Sequence, residues 1–314
     1  MKVENINNVA VIGTGVMGPD ISLGFAMAGY DVKLVDIEQD ILDQAAKRLT
    51  ANCRQMVEAG VFDEKHAAAV KSRISLTLDW DKSVAAADYI TEAVPEIMEI
   101  KQEVFKRCDD LCSQNVVIAS NTSSMSITEI ASRMRYPQRA ICTHWIIPAH
   151  LSPAVEIVCG ERTSTAVKDF VIRLLKKTGK TPVFCRDSPG FIHNYIQFAM
   201  VRAALSLLQD KIASAEDIDT VIRNGFGLRM SSVGPLQFVD MAGLDTILNI
   251  QQYMYGITKD PVYEPCEIIE EHVARGDLGV KSGKGFYDHS DNLDRLSEGR
   301  NRNMIKIMQV LKKD

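Results

Sequence analysis

Nowhere in this sequence do ~18 apolar residues run together, the length a helix needs to cross a bilayer, so a membrane-spanning role is not expected. The opening residues, Met1 to Asn8, are polar and lead straight into a strand-like run. They lack the apolar stretch of roughly 7–15 residues that marks a secretory signal, which points to the cytoplasm. Positive charge is not in excess either. Thirty-six Lys and Arg stand against 41 Asp and Glu, a formal net charge of -5, so general attraction to nucleic acid or an anionic membrane is excluded. Any anionic ligand has to be met by a local site. No disulfide framework is present: the seven cysteines are odd in number and irregularly spaced, as suits reduced thiols. Cys108 and Cys112 lie four apart on an expected helix, but further ligands are missing and no metal is expected.

What remains is an ordinary globular composition, 46% hydrophobic and 25% charged, in a chain of 314 residues. That length suits roughly two domains, each with a core large enough to dispense with staples. Short β-rich runs alternate with helical ones in the first part, which predicts βαβ units on a mostly parallel sheet. Val9 to Ile12 reads as a buried strand, Gly18 to Ala28 as a helix, Val32 to Val35 as the next strand, and Gln39 to Gly60 as a long helix. Further strands are expected at Ile74–Leu76, Tyr89–Thr91, Val116–Ala119, Ala140–Cys142 and Ala154–Val158. After Asp187-Ser188-Pro189-Gly190 the strand-like runs almost vanish, and helical patterns such as Phe198–Leu208 and Ala215–Arg223 take over. The expectation is an α/β Rossmann domain over residues 1–187 followed by an all-α domain over 188–314.

Gly13-Thr14-Gly15-Val16-Met17-Gly18 follows the first strand and opens a helix. Gly13 permits the tight turn, Gly15 lets the backbone approach a pyrophosphate, and Gly18 allows close helix–strand packing, with the phosphates at the positive end of the helix. Asp36 closes the second strand about 20 residues further on, where a carboxylate accepts ribose hydroxyls and repels the 2′-phosphate of NADP. The cofactor indicated is NAD, with Met17 also at its site.

Several motifs then recur in one order: the glycine motif, Ser120-Asn121-Thr122-Ser123-Ser124, His144 with Glu156, Asp187-Ser188-Pro189-Gly190-Phe191-Ile192-His193-Asn194, and Lys281-Ser282-Gly283-Lys284-Gly285-Phe286-Tyr287. Together they resemble the short-chain L-3-hydroxyacyl-CoA dehydrogenase family over nearly the whole chain. The resemblance implies a substrate held between an NAD domain and a helical, homodimerising domain. It implies His144 as general base, Glu156 as the group that orients and charge-stabilises the imidazole, and Ser123 and Asn194 at the reacting oxygen. Glu96 and Asn121 match positions near the cofactor. Other readings stand beside these. Ser123 also fits a cap for a helix starting near Ile127. His150 and His193 have no evident partner and suit structural or peripheral places, and Lys281 and Lys284 suit closure of the C-terminal segment.

Three departures bear on the substrate. The family's His-Phe-Phe-Asn-Pro is here His144-Trp145-Ile146-Ile147-Pro148, and Ile147 has no side-chain donor or acceptor. Asn52 and Ala59 stand where CoA-binding members carry Ser and Lys, with Lys47, Arg48 and Arg54 nearby. The stretch Gly225 to Pro235 carries extra residues, including Arg229, and is similar to relatives acting on small carboxylates: the L-gulonate, L-carnitine and pyridine-carboxylate dehydrogenases. Arg229 suits a bidentate grip on a carboxylate, or else is a surface arginine. The leading expectation is oxidation of a β-hydroxyl on a small hydroxy acid. The alternatives are a 3-hydroxybutyryl-CoA dehydrogenase and a catalytically silent NAD-binding protein.

Overall fold

Val9 to Ile12 carries β-branched residues with no polar break, and it forms β1 (Asn8–Ile12), buried on both faces from Val9 onward. The computed structural model describes residues 2–290 and 293–311. From β1 the chain passes through the glycine motif into α1 (Met17–Met27), β2 (Asp31–Val35), α2 (Gln39–Glu58), α3 (Glu64–Ser72) and β3 (Ile74–Thr77). Next come α4 (Trp80–Ala85), β4 (Tyr89–Glu92), α5 (Met98–Leu111), β5 (Val117–Ser120), α6 (Ile127–Ile130) and β6 (Ala140–Trp145). A short turn leads to β7 (Ala154–Cys159), then α7 (Thr165–Lys177) and β8 (Thr181–Arg186).

The strands lie in the order β3-β2-β1-β4-β5-β6-β7-β8. Every neighbouring pair is parallel except β6 and β7. This is the mostly parallel α/β sheet the alternating pattern predicts. The winding reverses between β1 and β4, and in open sheets of this kind ligands enter the crevice beyond the strand ends at that point. β8 escapes the pattern search for a physical reason. It carries Pro182 and is largely exposed, so it shows neither an apolar run nor clean alternation.

Phe25 of α1 centres one face of the sheet, with the rings of Tyr30, Tyr89 and Trp145 at 5.9, 5.7 and 5.4 Å. Each such buried side chain contributes about 1.5–3 kcal/mol. Trp145 ends β6, so this packing also fixes the strand on which His144 lies. The turn after β6 is held from below by Lys180, whose ammonium donates to the carbonyls of Ala149 and Ser152, both at 2.7 Å.

The chain divides into two compact units, Met1–Val201 and Arg202–Asp314, with α8 (His193–Gln209) running through the division. The second unit is helical: α9 (Ala215–Val221), a π-helical turn over Ile222–Gly227, α10 (Leu228–Met230), α11 (Pro235–Ala242), α12 (Leu244–Thr258), α13 (Glu267–Ala274) and α14 (Leu293–Leu311). The stretch Gly225 to Pro235 therefore begins within a widened helical turn. Buried Asp240 is the hub of this unit. It accepts from the Phe286 and Tyr287 amides, each at 2.9 Å, and from His289 Nε2 at 2.7 Å. Lys281 pairs with Asp245 and Lys284 with Asp277, so both lysines do close the C-terminal turn.

Burial lowers the Lys180 ammonium from its ordinary 10.5 to about 8. Between those values the unfolded chain binds more protons than the folded one, so this residue makes stability rise with pH there. In Lys180→Met that slope disappears. Urea titrations are expected to show the wild type gaining on the variant as pH rises from about 8 towards 10.5. A constant difference across that range counts against the assignment.

Candidate active site

Antiparallel pairing of β6 with β7 sets His144 directly opposite Glu156. Opposed residues share a face of the sheet, so their side chains meet. His144 Nδ1 lies 2.7 Å from Glu156 Oε2, and both residues are buried. The second carboxylate oxygen accepts from the backbone N–H groups of Ile192 at 2.9 Å and His193 at 2.8 Å. Burial works to raise the Glu156 carboxyl, but the bonds from His144, His193 and Ile192 outweigh it and hold the group below its ordinary value. An ionised carboxylate only accepts, so Nδ1 carries the proton in this pair, and Nε2 is the ring nitrogen left to exchange one. This dyad can take a proton and shelter the resulting charge.

The turn that presents those two N–H groups is strained. Gly190 has φ +78° and Phe191, a non-glycine residue, φ +50°. Phe191 is buried with its ring 5.7 Å from that of His144. One residue past His193, Asn194 Nδ2 donates to the Ser123 carbonyl at 3.0 Å. Residues 192–194 therefore join two pairs, His144 with Glu156 and Asn194 with Ser123. Ser123 does not cap the helix near Ile127. The N-cap of α6 is Ser126, whose hydroxyl donates to Asp187 instead. His193 is not peripheral, since its amide supports Glu156 and its ring lies 6.2 Å from that of His144. His150 has a partner too, in Asp20. Ile147 is 60% exposed.

At the glycine motif, Gly13 has φ +99° and an added Cβ would lie 2.7 Å from the Ala93 carbonyl oxygen. A Cβ on Gly18 would lie 2.0 Å from the Gly13 carbonyl oxygen, which is the close packing the motif predicts. Nothing lies within 4 Å of the Cβ position of Gly15. That bare backbone at the mouth of α1, whose second helical residue is Gly18, fits a pyrophosphate. Asp36 stands beside it, with Oδ2 accepting from the Thr14 amide at 2.8 Å and the Thr14 hydroxyl at 2.7 Å.

Glu96 has a task that the motif does not reveal. Its Oε1 accepts from the Thr122 hydroxyl and from the Ser123 and Ser124 amides, so it fastens the loop after β5. Burial raises its carboxyl, while Thr122, Lys101 and Ser123 bring it below its ordinary value. Asn121 Oδ1 accepts from the Trp145 amide at 2.9 Å, which orients the side chain and leaves Nδ2 without a partner among the described residues. Beneath the loop Lys101, fully buried, reaches Glu92 at 2.7 Å and Glu96 at 3.2 Å. Burial pushes the Glu92 carboxyl up despite Lys101 and Ser120. These supports were not singled out from the sequence. The available signal was a glutamate closing an otherwise apolar strand, which demands a buried partner. In the second unit, Arg229 stacks on Phe238, 3.7 Å from the ring centroid, and pairs with no carboxylate among the described residues.

A family profile for the NAD-binding domain of 3-hydroxyacyl-CoA dehydrogenase matches residues 8–188, and one for the C-terminal domain of that enzyme matches residues 190–289. The chain is similar to a probable 3-hydroxybutyryl-CoA dehydrogenase of Bacillus subtilis, 36% identical over 91% of this chain and 98% of the other. It also resembles a 5-formyl-3-hydroxy-2-methylpyridine 4-carboxylate 5-dehydrogenase of Mesorhizobium japonicum, 29% identical over 98% of each. The crystal structure of a 3-hydroxyacyl-CoA dehydrogenase from Archaeoglobus fulgidus superimposes with a TM-score of 0.81 at 30% identity, over 98% of this chain and 100% of that one. NAD is the cofactor.

The two glycines separate folding from binding. Gly13→Ala is expected to lower both thermal stability and NADH affinity, because backbone occupies the Cβ position. Gly15→Ala should leave stability within roughly 1 kcal/mol and weaken NADH alone. Equal behaviour of the two in unfolding and NADH-fluorescence titrations would remove the pyrophosphate assignment.

Proposed function

Because this chain belongs to the 3-hydroxyacyl-CoA dehydrogenase family, we propose that it oxidises the secondary hydroxyl of a small carboxylated hydroxy acid, with His144 as general base. It is an NAD-dependent dehydrogenase, and the bound nicotinamide supplies the hydride acceptor. The observation that carries the reading is the His144–Glu156 pair with its free Nε2. Nε2 takes the hydroxyl proton, and Glu156, itself braced by two amides, stabilises the imidazolium that results. Asn194 keeps Oδ1 free while Nδ2 is spent on Ser123, so Oδ1 and the Ser123 hydroxyl are available to orient the substrate oxygen.

A small acid rather than a CoA ester is supported by what the basic residues are doing. Arg48 and Asn52 of α2 both serve Asp20, and Arg54 pairs with Glu58 at 3.6 Å. Arg229, stacked on an aromatic ring and without an acidic partner among the described residues, keeps its planar donors for a carboxylate. A relative named for a pyridine carboxylate aligns over 98% of this chain. The second reading is a 3-hydroxybutyryl-CoA dehydrogenase, favoured by 36% identity to the Bacillus subtilis protein.

We also assign a second copy of the chain to α8, which buries none of its residues and exposes Tyr195, Phe198 and Leu205. Sedimentation at micromolar concentration is expected to give a dimer. A monomer that persists at that concentration would remove this assignment.

Initial rates of NADH formation over a panel of free hydroxy acids and their CoA esters test the substrate. Higher kcat/KM on a free acid, collapsing in Arg229→Ala, is the expected result, and preference for the CoA ester in both proteins overturns it. His144→Gln should lower kcat by roughly 10²–10⁴ with NADH binding kept. Equal loss of binding and turnover would mark His144 as structural.

A further inference from the structure

Asp20 lies on α1 two residues past Gly18, fully buried among Ile21, Leu23 and Phe25. A carboxylate there must be met by donors or it is prohibitively costly. Three converge on it from outside its own helix. Arg48 Nε at 3.2 Å and Asn52 Nδ2 at 2.8 Å, both from α2, reach Oδ1. His150 Nδ1, from the turn after β6, lies 3.2 Å from Oδ2. Burial raises the Asp20 carboxyl, but His150 and Arg48 outweigh it and bring it below its ordinary value, so it is ionised.

The fit is imperfect. Asp20 Oδ2 and His150 Nδ1 approach closely without aligning as a hydrogen bond, and each is left buried with no other partner. The His150 side chain is only 5% exposed, so solvent does not compensate. A guanidinium, an amide and an imidazole aimed at one point are the donor set of an oxyanion with more than two oxygens. A flat carboxylate satisfies that set only in part. Of the three donors Arg48 borders solvent, its side chain being 39% exposed on α2.

We propose that Asp20 is a specificity-determining residue: its carboxylate occupies an anion site built by Arg48, Asn52 and His150 and so keeps a phosphate group out of the place those three donors surround. The proposal deepens the reading of the substrate as a small acid, and only its biological consequence rests on that reading. With the chain's own anion in place, a phosphate meets both charge repulsion and an occupied volume.

Asp20→Ala removes the anion and leaves the three donors. Thermal unfolding is followed with increasing inorganic phosphate, against chloride at matched ionic strength. The variant is expected to gain saturable, phosphate-dependent stabilisation, while the wild type and Asp20→Asn, whose amide still fills the volume, gain none. A parallel calorimetric titration uses CoA. Tighter CoA binding by the variant, on the order of tenfold, identifies a nucleotide-borne phosphate as the excluded group. A response to inorganic phosphate alone identifies the free ion. If Asp20→Ala does not fold unaided, recovery from urea in phosphate but not in chloride supports the site. The same response in variant and wild type, or equal failure to refold in both salts, overturns it. Wild-type turnover on the hydroxy-acid panel is independent of these measurements, so loss of the substrate reading and loss of the anion site are told apart.

Discussion

The antiparallel register of β6 against β7 is the constraint from which the rest of the candidate site follows. In an otherwise parallel sheet, one strand turned back brings His144 and Glu156 face to face at positions 12 residues apart. A carboxylate buried there needs more than one donor. It obtains the others from the Ile192 and His193 amides, which requires the chain after β8 to enter α8 at that spot. The strained turn at Gly190 and Phe191 is the means of entry. Asn194 then reaches the Ser123 carbonyl because it is the next residue of the helix. One ionised carboxylate thereby fixes a proton on His144, the start of a helix and the side chain beside Ser123.

Paired and hydrogen-bonded carboxylates organise the nucleotide domain more widely, and each has a distinct task. Glu92 anchors Lys101 under the loop after β5, Glu96 gathers the amides of that loop, and Asp109 holds Arg139. Such pairs contribute little net stability compared with apolar replacements of equal volume, but breaking one leaves an uncompensated charge. Their effect is to allow a single arrangement of loops that would otherwise have several. Thr122 shows this well, since its hydroxyl donates to Glu96 while also accepting from the Met125 amide.

Elements made by local chemistry were legible from the residues. The glycine motif predicted its own turn, because the positive φ at Gly13 and the absent Cβ at Gly18 are properties of single residues. The strands β1 to β7 were legible as apolar runs. β8 was not, because an exposed edge strand with a proline has no such signature. Partners far apart in sequence were the harder class. Nothing in the pattern ties His150 to Asp20, or Lys101 to Glu92, because those pairings depend on how helices lie across the sheet. His144 and Glu156 were paired through family resemblance, and the register supplies the reason. The fate of Ser123 as a cap turned on which serine stands one residue before Ile127, a boundary that propensity does not resolve.

The residues that distinguish substrates lie away from the dyad. In the proposed reaction His144 and Glu156 act on a carbinol and carry no information about what is attached to it. Discrimination has to come from groups that meet the rest of the molecule. Under the proposed function two such places in this chain act in complementary ways. On α2 the donors are turned inward onto Asp20, so positive charge that would suit a phosphate is neutralised within the fold. In the second unit a widened helical turn precedes Arg229, whose guanidinium lies on an aromatic ring with its edge donors unspent among the described residues. Under that reading the first removes an attraction for a large anionic ligand, and the second adds one for a small anion. Either alone would shift preference modestly. Together they would act on the ratio of affinities from both sides, the means by which a fixed catalytic pair can be directed to a different substrate without being altered.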